Sequence, residues 1–101
     1  MRDVVLFIRA RLEEIESQAP ALHRFGCPAG HDADRRCECG FSVQVLADVR
    51  ARRDLVEEFV DWLESDTTSE RERGRTRHAL LLLAQPWSGR ADFDPYWRVD
   101  V

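Results

Sequence analysis

The stretch Pro20–Gly40, PALHRFGCPAGHDADRRCECG, decides how the rest of the chain is read. It holds two prolines, three glycines, all three cysteines of the chain and two of its three histidines, and neither helical nor strand periodicity survives in it. An apolar-poor link of about twenty residues is unusual inside a small domain unless something fastens it. Its side chains offer a fastener. Cys27, His31, Cys37 and Cys39 form C-x3-H-x5-C-x-C, with His23 four residues before Cys27 as a competing nitrogen ligand.

Thiolates and imidazole suit tetrahedral zinc, which takes sulfur at about 2.3 Å and nitrogen at about 2.0 Å. The usual paired C-x2-C is absent, and C-x-C needs a tight backbone to bring both sulfurs to one ion. Gly26, Gly30 and Gly40 flank the donors and supply that freedom. Four protein ligands leave no open coordination position, so the expected zinc is structural. Two rival readings stand beside it. One takes the cysteines as free thiols in a variable loop with incidental histidines. The other is a redox pair of Cys37 and Cys39, which lacks the C-x-x-C spacing and helix N-terminus that lower a thiol pKa.

Outward from this link the pattern is helical. Val5, Ile8, Leu12, Ile15 and Ala19 recur at alternating steps of three and four, one stripe of a helix over 4–19 with Asp3 as its cap. Pro20 stops it. A second helix runs from Val43 to about Glu64, capped by Ser42, with Leu46, Val49, Val56, Phe59, Val60 and Leu63 on one face and Arg53 interrupting it. Asp48 with Arg52, Arg50 with Asp54, and Arg53 with Glu57 stand at ion-pair spacing along it. Ser69 and Glu72 form a capping box for a third helix that carries the apolar run Ala79–Ala84 and ends at Pro86. The sum is an all-α, three-helix domain over 1–101. Helix one packs on an antiparallel hairpin of helices two and three, a Cys/His knuckle over 22–40 is inserted between the first two, and an aromatic C-terminal tail closes one end.

Composition narrows the function classes. The chain has 101 residues, 44% of them hydrophobic and 34% charged, enough apolar material for a core. Fifteen basic residues, every one Arg, face nineteen acidic ones for a net charge of −4, which argues against a whole-surface nucleic-acid binder. No apolar run approaches the roughly 18 residues that cross a bilayer, and VVLFI is too short for a signal peptide. The expected compartment is the cytoplasm, with no membrane partner. There, reduced thiols point to metal rather than disulfides.

Other constellations carry less. Arg50, Arg52 and Arg53 with Arg71, Arg73, Arg75 and Arg77 make a basic stripe on paper, but interspersed carboxylates favour a self-paired surface. His78 reads as a core-edge residue, Glu38 as a solvated charge, and Asp92-Phe93-Asp94-Pro95 as an Asp-initiated turn. Trp87, Phe93, Tyr96, Trp97 and Arg98 read as a structural clasp beneath the third helix, with an interaction patch as the alternative.

Three blocks, DVVLFIRARLEEIE (3–16), VLADVRARRDLVEEF (45–59) and LLLLAQPWSGRADFDPYWR (80–98), resemble in order and spacing a small-protein family of unknown function from actinobacteria and their phages. Members of that family typically close with LRLLA-x-PYADHPDY-x-PEWR. Trp87 and the SGRAD turn depart from it, so any role of the family's histidine-bearing turn does not carry over. The resemblance implies a helical fold and an actinobacterial or phage origin, and it implies no activity.

The functional expectation is a small non-enzymatic protein-interaction module shaped by a structural zinc knuckle, its partner another protein or a second copy of itself. The alternative is a nucleic-acid-associated regulator using the knuckle and the arginines of the second and third helices. An enzyme ranks last, because nucleophile with base, phosphate loop and open metal site are all missing.

Overall fold

A computed structural model describes residues 1–32, 37 and 39–100, without the side chain of His31. The architecture is all-helical, with α1 at Arg2–Gln18, a single-turn α2 at Pro28–His31, α3 at Phe41–Glu64 and α4 at Glu70–Ala84. Short 3-10 turns follow at Ala19–Ala21, Gln85–Trp87 and Pro95–Trp97. Helix α2 lies inside the Cys/His link, where the sequence pattern predicted no helix. Pro28 at its first position and Cys27 before it start the turn.

Helix α1 runs antiparallel to α3. Arg9 pairs with Glu57 and Arg53 pairs with Glu16, so positions rise on one helix as they fall on the other. Helix α4 turns back on α3 through Ser65–Ser69, and the groove they share sets Arg52, Leu55 and Phe59 against Ala79, Leu82, Leu83 and Pro86. Val4, Val5, Ile8 and Leu12 of α1, Val49 and Val56 of α3, and Leu80 and Ala84 of α4 fill the core. The apolar face of α1 is wider than the single stripe the spacing predicts. Phe7 and Arg11 form a second buried row beside it, turned toward the C-terminal segment.

Several local features differ from the pattern-based expectation. Gly40, at φ 65°, precedes α3 and no side chain caps it, so the helix starts at Phe41 rather than behind a Ser42 cap. Helix α1 begins at Arg2, and Asp3 sits in its first turn, where a carboxylate suits the helix dipole. Ser69 caps α4 as read, its Oγ accepting the Glu72 N–H at 3.1 Å. His78 is exposed instead of lying at the core edge. Asp48 and Arg52 close their pair at 2.9 Å, whereas Arg53 and Glu57 reach across to α1 and do not pair with each other. Neighbouring helix surfaces offer these two side chains better-placed partners than their own helix does.

Candidate metal centre

Among its described residues the link between α1 and α3 contains tight turns. Arg24 to Cys27 closes one, with the Cys27 N–H donating to the Arg24 carbonyl at 3.0 Å and Gly26 at φ 87° in the position where a side chain is strained. The Cys27 carbonyl then accepts the Gly30 N–H at 3.0 Å as α2 begins. Gly26 and Gly40 take the left-handed backbone that glycine permits. Gly30 does not; it lies in α2, with His23 packed against the place a Cβ would occupy.

These turns bring four donor atoms together. His23 Nδ1 stands 3.6 Å from Cys27 Sγ, 3.3 Å from Cys37 Sγ and 3.8 Å from Cys39 Sγ. Cys37 Sγ is 3.9 Å from Cys27 Sγ and 3.7 Å from Cys39 Sγ. All four lie within 4.8 Å of one another, a cluster compatible with a metal site. Among the described residues its nitrogen is that of His23. The side chain of His31 lies outside the described residues.

Backbone N–H groups surround the sulfurs. Those of Arg24 and Phe41 each donate to Cys39 Sγ at 3.5 Å, and these two bonds draw the Cys39 thiol down to about 7. At Cys37 the Gly40 N–H pulls the same way, but desolvation and the adjoining thiols outweigh it and the net shift is upward. The cause is plain electrostatics: three sulfurs this close cannot all carry charge without a cation among them. Cys27 is buried, Cys39 half-buried and Cys37 exposed. Arg24 docks the cluster onto α3, its guanidinium 5.7 Å from the Phe41 ring centroid and its Nη2 donating to Gln44 Oε1 at 2.7 Å.

The aromatic tail occupies a separate region along α1. Phe93 is buried, and Phe93, Trp87 and Trp97 surround Phe7 with ring centroids at 5.8, 6.3 and 5.1 Å. Tyr96 and Arg98 point into solvent. Sequence reasoning missed Arg11, whose buried guanidinium pairs with Asp92 and with Glu14 while lying 5.1 Å from the Phe7 centroid. Its place at position i+4 from Phe7 on a helix otherwise apolar there was the available signal.

A helical frame whose link between α1 and α3 gathers three thiols and an imidazole among the described residues defines a small helical protein with a Cys3His cluster. The chain belongs to the family of unknown function DUF6221, whose family-wide pattern matches residues 1–99. No curated protein and no solved structure matches it. Among the described residues no helix is long and apolar enough to cross a membrane.

Proposed function

We propose that the protein is a non-enzymatic interaction module of actinobacterial or phage origin, in which one structural zinc ion shapes segment 22–40 into the turn between α1 and α3. The donor geometry carries this reading. Zinc bonds of about 2.3 Å to sulfur and about 2.0 Å to nitrogen, at tetrahedral angles, give sulfur–sulfur edges near 3.8 Å and sulfur–nitrogen edges of roughly 3.5 Å. Five of the six edges, 3.7 and 3.9 Å between sulfurs and 3.3, 3.6 and 3.8 Å from sulfur to nitrogen, scatter about those values, and the sixth, between Cys27 and Cys39, lies within 4.8 Å. Zinc supplies the dication that three clustered thiolates need. With four protein donors its coordination shell is full, which favours a structural role over a catalytic one.

The interaction role is supported by what the knuckle presents. Phe25, the second residue of the Arg24–Cys27 turn, is fully exposed, and Val43 on the first turn of α3 is largely so. An aromatic ring held in water on a metal-stiffened turn is an anchor for an apolar pocket on a partner protein. The nucleic-acid alternative has less behind it, because four of the seven stripe arginines, Arg52, Arg53, Arg73 and Arg77, are already paired with carboxylates.

Native mass spectrometry of protein purified without added zinc tests the reading. One zinc ion per chain is expected; a metal-free, folded chain would sink it. For the partner, Phe25→Ser should lose a protein that the unaltered chain captures, and an electrophoretic titration at two salt concentrations should show no salt-sensitive nucleic-acid binding.

A further inference from the structure

The three sulfurs of the knuckle differ in what can reach them. Cys27 is shielded inside the turn, and Cys39 is half-buried with two amide N–H groups on its sulfur. Cys37 alone is exposed, and its sulfur lies 3.9 Å from Cys27 Sγ. A small oxidant arriving from solvent therefore meets Cys37 first, with a second thiolate already beside the point of attack.

We propose that Cys37 is an oxidation site for hydroperoxides, at which sulfenic acid formation and disulfide closure with Cys27 discharge the metal. This rests on the zinc reading above. The Cys37 thiolate attacks one peroxide oxygen, the O–O bond breaks, and the departing oxygen takes a proton from water as an alcohol or as water. Cys37 is left as a sulfenic acid. The Cys27 thiolate then attacks that sulfur; the S–S bond forms and hydroxide leaves, taking up a second proton. Together the two thiolates give up two electrons, the peroxide gains two, and zinc keeps its charge while losing two of four donors.

Cys27 is the resolving partner for two reasons. Cys37 and Cys39 are separated by one residue, so a bond between them closes a small strained ring. Cys39 also keeps the Arg24 and Phe41 N–H groups that stabilise it as a thiolate. The helical core, centred on Ile8, Leu12, Val56 and Leu80, contains none of these residues. Oxidation thus unfastens the link between α1 and α3 and leaves the helices packed, so the surface carrying Phe25 is lost while the protein stays folded.

The test adds an equivalent of hydrogen peroxide to the zinc-loaded protein and follows released metal with a chromogenic chelator, then maps disulfides by peptide mass spectrometry. Zinc release with a Cys27–Cys37 bond, reversed by a thiol reductant and fresh zinc, is expected. Cys37→His keeps four donors and should release zinc at least about tenfold more slowly, since imidazole does not enter the thiol oxidation ladder. If that variant fails to hold zinc, dimedone trapping on the unaltered protein decides, with the adduct expected on Cys37. Metal that stays bound through peroxide treatment, or an adduct on Cys27 or Cys39 instead, overturns this inference and leaves the zinc reading standing. Protein that never contained zinc overturns both.

Discussion

Two stretches of the molecule lie outside the three long helices, and their described residues differ in how they are held. In 85–99, order comes from burial: Phe93 is sunk against Phe7, Trp97 stands 5.5 Å from Phe93, and Gln85 Nε2 donates to the Trp97 carbonyl at 2.7 Å. Around this, Arg11, Glu14, Arg90 and Asp92 form a connected set of ion pairs. In 22–40 the largest apolar side chain, Phe25, is in water, and Cys27 is the buried apolar residue among those described. The described residues of this segment bury little apolar surface to set against an ordering entropy of about 1–2 kcal/mol per residue. Converging donors are the remaining means, and they lie at the far end of the α1–α3 pair from Val5 and Val60.

If the proposed zinc fills the cluster, the contrast breaks most readily by taking that ion away. A Cys3His site is worth on the order of 10 kcal/mol in apparent binding free energy, more than any single aromatic contact. Chelation is therefore expected to abolish amide-exchange protection across 22–40 while α1, α3 and α4 keep theirs; equal protection with and without chelator would mean the link orders itself. The clasp should respond to the opposite treatment. Phe93→Ala is expected to cost about 3–5 kcal/mol and to lower Tm by roughly 15 °C, with the knuckle's metal retained. Trp97→Ala, at a half-buried position, should lower Tm by roughly half as much. An unchanged melting curve for Trp97→Ala would move that side chain from clasp to interaction patch.

How much of this was legible in the sequence follows the same division. Periodicity gave the three long helices because Val5, Ile8, Leu12, Val49 and Val56 repeat at helical steps, and Ser69 announced its own cap. It could not give Arg11 a buried place, since the partners that make burial tolerable, Asp92 and Glu14, include one from the far end of the chain. Nor could spacing choose between His23 and His31. What sets His23 beside the thiols is the Arg24–Cys27 turn and the approach of Gly30 to His23, which are three-dimensional facts. The donor types, by contrast, were readable at once, because three thiols beside imidazoles are chemically unusual wherever the backbone takes them.

Acid should separate the two regions in order. Arg90, and then Arg11, hold the Asp92 carboxyl below its ordinary range. A lowered pKa in the folded state means the clasp's contribution is complete above the ordinary carboxylate value of about 4 and is lost as pH falls through the folded value. Thiolate and imidazole donors have ordinary pKa values well above that, so protons compete for the metal first. On descending from neutral pH, metal release should precede any loss of clasp stability. The Tm difference between the unaltered chain and Asp92→Asn should then shrink as pH falls below the ordinary carboxylate value, because the lowered Asp92 carboxyl takes up its proton only there. A difference that stayed constant would show that Asp92 acts through packing rather than charge.

The smallest expected effect sharpens the comparison from the other side. Arg9 and Glu57 form a two-pronged pair across the α1–α3 interface, Nε to Oε1 at 2.7 Å and Nη2 to Oε2 at 2.6 Å. The Glu57 carboxyl is held low by that bond, yet the two side chains are 41% and 47% exposed, so water screens most of what the geometry offers. Glu57→Gln should cost within about 1 kcal/mol and leave metal binding unchanged. If instead it destabilised as strongly as Phe93→Ala, the α1–α3 hairpin would be held along its length by charge. The knuckle would then be decorating a joint that is already closed. A near-silent Glu57→Gln beside a strong chelation effect locates the fastening of that hairpin at its turn.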